Sequence, residues 1–214
     1  MKIPIENILE ERTFKVVDGE SDKWIWIKED DGAWSGPTQD WESSHQHKYF
    51  THVKNFDCVV TAGANLGLHV RAYAKKFKTV YAFEPHWLNF YCMSINAPYS
   101  NVIKMNAALG KEQGFCKVND NHKKNVGMFT VNEISDGIIP IMTIDGLNLQ
   151  KCDLIQLDVE GFEPQVIQGA KKTIDKFKPV VIMERIDEGI KVFLHELGYE
   201  EKYRSKMDYV FALK

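Results

Sequence analysis

Apolar and polar positions follow no sustained period up to about residue 54, and from Phe56 onward they settle into short apolar runs alternating with amphipathic stretches. Cys58 to Thr61 is the first apolar run and predicts a strand; Leu66, Val70, Tyr73, Ala74 and Phe77 mark one face of the helix after it. Thr79 to Phe83 predicts a second strand, closed by Glu84-Pro85, and Trp87, Leu88, Tyr91, Cys92 and Ile95 give the next helix its stripe. Asn101 to Met105 predicts a third strand. The segment Ala107 to Ile141, with Gly110, Gly114, Gly127 and the polar run Asn119 to Asn125, reads as an irregular, hairpin-rich connection. A short helix is expected over Ile144 to Leu149, and Asp153 to Leu157 is a fourth strand, apolar on both faces as a central position requires. Val166, Ile167, Ala170 and Ile174 mark a helix, Pro179 to Met183 a fifth strand, Ile190, Phe193, Leu194 and Leu197 a helix closed by Gly198, and Tyr209 to Leu213 a last strand. Repeated β-α-β units imply right-handed crossovers and a doubly wound α/β fold with a mostly parallel sheet.

The first 54 residues stand apart as an aromatic-rich extension, so the chain divides into 1–54 and an α/β domain over 55–214. Trp24 to Ile27 predicts a strand and Asp31-Gly32 a hairpin turn, while Trp34 and Trp41 flank a Ser35-Gly36-Pro37 loop. Trp41 to His47 suits either a segment packed on the core or a lid over a ligand, and His45 and His47, without acidic or cysteine partners at ligand spacing, read as a solvated pair.

Composition changes the picture mainly by exclusion. The 214 residues, 44% of them apolar, are enough for one large domain with a full core. No run reaches the roughly 18 apolar residues of a membrane span, and Met1 to Glu10 leads into no long apolar segment, so a cytoplasmic protein without a membrane partner is expected. Cys58, Cys92, Cys116 and Cys152 form no C-x-x-C pair and are expected as buried reduced thiols. With 27 basic and 30 acidic residues, and lysines only in short pairs, no broad phosphate-binding face and no nucleic-acid partner is expected.

Chemistry concentrates where the strands end, since ligands of such sheets bind beyond their carboxyl edges. Val59 to Gly67, V-V-T-A-G-A-N-L-G, runs from a buried strand into a glycine-spaced turn that admits a ligand close to backbone. Glu84, seventeen residues after Gly67, stands where a carboxylate can accept both hydroxyls of a ribose. The dinucleotide fingerprint G-x-G-x-x-G fails, because Asn65 and Leu68 occupy its second and third glycine positions. Asp158 closes the fourth strand, followed by Glu160 and Glu163. It suits a proton acceptor or a partner for an ammonium, and the glutamates suit a helix N-terminus. A divalent cation would need more oxygen ligands than can be named, so no metal is expected. Glu184 and His69 also fall near the cleft; His69 is read as packed or solvated.

V-V-T-A-G-A-N-L-G, V-Y-A-F-E-P and D-L-I-Q-L-D-V-E-G-F-E, in that order over about Asp57 to Leu213, resemble the FkbM family of S-adenosylmethionine-dependent methyltransferases. The resemblance implies the Rossmann-like class I methyltransferase fold, a seven-stranded sheet whose final strand is antiparallel. It also implies that Thr61, Gly63, Asn65 and Gly67 line the methionine and ribose part of the cofactor, that Glu84 binds the ribose hydroxyls, and that Asn106 and Ala107 lie by the adenine. Two positions depart from the family pattern. Thr61 replaces an acid before G-A-N, which weakens the expected hold on the methionine ammonium, and Gln156 replaces the lysine of I-K-x-D-V-E-G, which is expected to affect the substrate or the geometry around the site.

The function expected is O-methylation of a hydroxyl on a small molecule or sugar, with Asp158 as the catalytic residue. Base-modifying DNA methyltransferases are disfavoured, since neither an N/D-P-P-Y/F motif after strand four nor a Pro-Cys nucleophile is present. The alternatives are a non-catalytic module binding S-adenosylmethionine or S-adenosylhomocysteine, supported by Thr61, and a nicotinamide-dependent oxidoreductase, opposed by the failed fingerprint.

Overall fold

The computed structural model describes residues 14–19, 23–30, 46–119, 125–134, 136–205 and 208–214. The Asp31-Gly32 turn, the Trp34 to Trp41 loop and the His45 partner of His47 lie outside the described residues, as does the expected lid up to the start of the first helix.

Strands β3 (Cys58–Ala62), β4 (Thr79–Phe83), β5 (Val102–Met105), β10 (Leu154–Leu157), β11 (Val180–Met183), β12 (Tyr199–Arg204) and β13 (Tyr209–Leu213) form a seven-stranded sheet in the order β12-β13-β11-β10-β3-β4-β5. Neighbours from β11 to β5 are parallel, whereas β13 runs antiparallel to both β11 and β12, so the sheet is mixed. Strand β12 was not anticipated: its glutamates and lysine leave it half-exposed at the sheet edge, where alternation is weak. The middle strands β3, β10 and β11 are buried at every position because helices cover both faces. Period-two alternation sends Cys58, Val60 and Ala62 into one core with Ile155, Leu157, Val166, Ile174 and Leu194. Val59 goes to the other side, with Tyr49, Val70, Tyr73, Phe77, Met93 and Leu154.

The first face is covered by α4 (Glu163–Gln168), α5 (Lys171–Phe177) and α6 (Glu188–Glu196), the second by α1 (Gln46–Phe50), α2 (Leu68–Ala74) and α3 (Trp87–Asn96). The single helix expected after β10 is two. Asp145, in a 3-10 turn over Asp145–Leu147, accepts from the backbone N–H groups of Lys172 (3.1 Å) and Thr173 (2.8 Å) and so caps α5 separately.

Helix α3 overturns the expected stripe. Trp87 and Ile95 are exposed, at 62% and 42%, while Asn89, Cys92, Met93 and Asn96 are buried. The reason is hydrogen bonding. Asn96 Nδ2 donates to the Ile25 carbonyl (2.9 Å) and the Leu66 carbonyl (2.8 Å), and its Oδ1 accepts from Ile25 N (2.7 Å), so the amide acts as one residue of a neighbouring strand. That strand is β2 (Lys23–Ile27), paired antiparallel with β1 (Phe14–Asp18). Trp24 and Trp26 from this hairpin pack with Leu66, Cys92 and Val126, and the Arg71 guanidinium lies over the Trp24 ring at 4.3 Å.

Between β5 and β10 the connection is a second sheet rather than irregular chain. Strands β6 (Ala108–Leu109), β9 (Ile139–Met142), β7 (Gly114–Asn119) and β8 (Thr130–Glu133) pair in the order β6-β9-β7-β8 around a small core of Ala108, Cys116 and Ile141. Exposed positions such as Phe115 and Ile138, at 54% and 82%, break its alternation and hide the strands from a periodicity argument.

Replacing Asn96 by alanine strands two backbone carbonyls and an N–H. Urea unfolding is expected to show a loss of roughly 2–3 kcal/mol with faster amide exchange in β1 and β2. A midpoint unchanged from wild type would mean that tryptophan packing alone holds the hairpin.

Candidate active site

The carboxyl ends of β3, β4, β5 and β10 face a cleft of about 570 Å³. Its walls are the turn after β3 (Gly63, Asn65), the segment after β4 (Glu84, Pro85, Asn89), Ala107 to Leu109, and Asp158, Val159, Glu160 and Phe162, and it is closed by Val126, Gly127 and Phe129, in the chain leading into β8, with Val131 of β8.

The turn is shaped by close approach. Gly63 adopts φ +75°, and a Cβ there would sit 1.7 Å from the Asp158 carbonyl oxygen, so only glycine lets β3 and β10 end side by side. Asn65 is also left-handed, at φ 47°, a conformation asparagine tolerates better than other side chains. Its N–H then points at Glu84 and donates to Oε2 at 2.7 Å, while His86 N donates to Oε1 at 2.9 Å. Glu84 is 4% exposed, and its burial pushes the carboxyl up to about 7 although the two backbone N–H groups pull the other way.

Opposite stands an acidic recess. Carboxylate oxygens of Asp158, Glu160 and Glu184 lie within 4.8 Å of one another. Burial, followed by the charges of Glu184 and Glu160, holds the Asp158 carboxyl well above its usual range. The Arg185 guanidinium pairs with Glu160 at 2.5 Å. Glu163 is fully buried at the start of α4, its Oε1 accepting from Val159 N at 3.4 Å, so it serves the helix rather than the recess. His69 is pushed down to about 3 by burial and stays neutral. All four cysteines are free and buried, and burial raises Cys58 and Cys92 to about 12 and Cys116 to about 11, which excludes them as nucleophiles near neutral pH.

Of the residues expected from sequence, Gly63, Asn65, Glu84, Ala107 and Asp158 meet at the cleft. Thr61, Gly67 and Asn106 are not among its lining residues. Gly67, at φ +96°, starts α2 against Met93, and Asn106 Nδ2 donates to the carbonyls of Glu84 (2.8 Å) and Pro85 (3.0 Å), bracing the strand end from behind. Thr61 is fully buried on the α2 side, and its hydroxyl donates to Gln156 Oε1 across the β3–β10 register. The two departures noted in the sequence are therefore one neutral pair, and Thr61 is turned away from the ligand space. Asn89 and the Val126 to Val131 wall were not foreseen. Asn89 carried one signal: it lies seven residues before Asn96, on the same helical face.

The family described as the methyltransferase FkbM domain matches residues 61–201. The chain belongs to the FkbM methyltransferase family. Its cofactor is S-adenosylmethionine. No curated protein matches the chain. Among solved structures, the FkbM methyltransferase of Methylobacillus flagellatus KT is similar at 13% identity and TM-score 0.47, over 80% of this chain and 51% of that one. The chain thus spans about half the length of that protein. A precorrin-6y C5,15-methyltransferase from Geobacter metallireducens GS-15 is similar at 11% identity and TM-score 0.49, over 86% and 93%. TYW2 of M. jannaschii, in complex with AdoMet, gives 14% identity and TM-score 0.45, over 95% and 88%. Among the described residues of this FkbM chain, no helix is long and apolar enough to cross a membrane.

The cleft fits that cofactor. Glu84 keeps a second acceptor site on each oxygen, and the buried Oδ1 atoms of Asn65 and Asn89 meet no donor among the described residues, which together suit a ligand rich in hydroxyl donors. Ala107, Leu109, Phe129 and Val131 offer an apolar slot for a flat base.

Two outcomes test this geometry. Hydroxyl donors favour the ionised Glu84, so S-adenosylhomocysteine should bind about tenfold more weakly at pH 6 than at pH 8, a slope absent from Glu84→Gln in calorimetric titrations. Because the folded protein keeps the Glu84 proton up to about 7 while the unfolded chain releases it near 4.5, the same group lowers unliganded stability as pH rises between those values. Thr61→Val strands Gln156 Oε1 and should cost about 1–3 kcal/mol in urea unfolding while changing S-adenosylhomocysteine affinity less than about threefold. A large affinity loss in that variant would place Thr61 at the ligand.

Proposed function

We propose that this chain, through its α/β domain over 55–214, moves the methyl group of S-adenosylmethionine to a hydroxyl on a small molecule or sugar, with Asp158 receiving the hydroxyl proton. The observation that carries this reading is the placement of Asp158: it lines the cleft at the end of β10, within reach of Glu184 and Glu160, in surroundings that raise its proton affinity. Bound S-adenosylmethionine would supply an electrophilic methyl on a sulfonium. Gly63, Asn65 and Glu84 would hold the cofactor on one side, leaving the recess around Asp158 for the acceptor.

Asp158 would take the proton of the acceptor hydroxyl and so leave its oxygen free to receive that methyl. A carboxylate with raised proton affinity is a stronger base than an exposed one. Arg185 on Glu160 offsets part of the negative charge of the acid group. The neutral Thr61–Gln156 pair removes nothing from the cleft, which favours an active enzyme over a non-catalytic binding module. Short lysine pairs rather than a basic face support a small acceptor over a nucleic acid.

The test is transfer of isotopically labelled methyl to a panel of sugars and hydroxylated small molecules, with and without EDTA. Transfer to an oxygen, insensitive to EDTA, is expected, with kcat falling about 10²–10⁴-fold in Asp158→Asn while S-adenosylhomocysteine still raises the Tm of that variant. Label found only on nitrogen or RNA, or activity abolished by EDTA, would overturn the respective part of the reading.

A further inference from the structure

The wall residue that no sequence pattern flagged has an unmet hydrogen-bonding requirement. Asn89 sits in the first turn of α3, is 2% exposed and lines the cleft. Its Nδ2 donates to the Val126 carbonyl at 3.0 Å. This bond settles the amide's orientation, because turning the group over would set oxygen against oxygen. The Oδ1 atom is then buried and meets no donor among the described residues. A buried acceptor in that state is costly unless a ligand donates to it.

What could donate is limited by what surrounds it. Two N–H groups of the turn and of the helix start, those of Asn65 and His86, are already given to Glu84. Asn65 Oδ1 is a second buried acceptor without a donor in the same wall, and a Cβ on Gly127, beside the Val126 carbonyl that anchors Asn89, would lie 3.5 Å from Asn65 Nδ2. The polar wall therefore gathers acceptors: the Glu84 carboxylate, Asn65 Oδ1 and Asn89 Oδ1. A vicinal diol is complementary to such a set, since each hydroxyl donates one hydrogen. Position separates the ribose from the base. One turn beyond Asn89, Met93 packs on Gly67, a Cβ there lying 3.2 Å from its Cα, which puts Asn89 on the glycine-turn side of the cleft.

We infer that Asn89 is a further ligand of the cofactor's ribose, its Oδ1 accepting a hydrogen bond from one of the two hydroxyls beside Glu84. This rests on the reading of the cleft as the S-adenosylmethionine site. It makes Asn89 both a binding residue and the link between ligand and wall, because the same amide holds the Val126 carbonyl. Loading the ribose thus stiffens the group that anchors that wall.

The experiment is a set of calorimetric cycles with S-adenosylhomocysteine, its 2′-deoxy and 3′-deoxy analogues, and the analogue in which the 6-amino group of adenine is replaced by 6-oxo, each against wild type, Asn89→Ala and Asn89→Asp. Asn89→Ala is expected to bind the parent compound roughly tenfold more weakly. One deoxy analogue should lose a similar factor on wild type and on Asn89→Asp, which keeps an acceptor, yet bind Asn89→Ala as well as the parent does. The 6-oxo penalty should be the same in wild type and Asn89→Ala. If Asn89→Ala does not fold, Asn89→Ser, whose oxygen is held closer to the helix, carries the same cycle. Deoxy penalties that are undiminished in the alanine or serine variant, or coupling to the 6-oxo change instead, would overturn the assignment. Deoxy penalties that vanish in Glu84→Gln but not in the Asn89 variants would leave the cofactor reading standing and sink this inference alone. Failure of S-adenosylhomocysteine to bind wild type at millimolar concentration would sink both.

Discussion

A buried carboxylate that two backbone N–H groups hold in place is the constraint on which this cleft depends. Glu84 can be kept at the end of β4, out of water, only because Asn65 N and His86 N reach its two oxygens. For Asn65 to present its N–H the turn must enter left-handed geometry, and for the turn to begin there Gly63 must pass against the Asp158 carbonyl. For His86 to present its own, the chain must enter α3 immediately after Pro85, with Asn106 bracing the carbonyls of Glu84 and Pro85 from behind. One acid thus ties together the ends of three strands and the start of a helix.

Polar groups inside the domain are handled in three different ways. Thr61 and Gln156 satisfy each other across adjacent strands and avoid the desolvation cost of a charged pair in a fully buried stripe. Asn96 satisfies backbone, supplying the open side of Ile25 with both a donor and an acceptor. Asp158 is buried beside Glu184 and Glu160, whose charges add to its desolvation, which leaves a group of high proton affinity in the lining of the cleft. The first two arrangements stabilise the fold. The third leaves a strained charge balance where chemistry is wanted, and functional sites are where such imbalance persists.

The insert between β5 and β10 gives the site its closure. Sheets of this kind offer a floor at their carboxyl edge but no wall opposite it. Here β8 and the chain leading into it carry Val131, Val126 and Phe129 back over that edge, and the N-terminal hairpin backs them, with Trp24, Trp26 and Val126 in one apolar cluster. Segments that look peripheral along the chain therefore determine how dry the cleft is, and dryness is what raises Glu84 to about 7.

Local chemistry carried much of this in the linear chain. The buried runs Cys58 to Thr61 and Asp153 to Leu157, the glycine-spaced turn and the acids at two strand ends need only neighbours in sequence to be recognised, because period, turn geometry and burial of apolar residues are short-range properties. They bring Gly63, Asn65, Glu84 and Asp158 to one edge of the sheet, where these residues line the cleft. What needed the tertiary structure was every choice between two satisfactory partners. Whether Thr61 faces a ligand or Gln156, whether α3 buries Trp87 or Asn89, and whether residues 107–141 form loops or a second sheet all depend on groups remote in sequence. A hydroxyl or an amide is content with any donor or acceptor within about 3 Å, and only the packed chain decides which one that is.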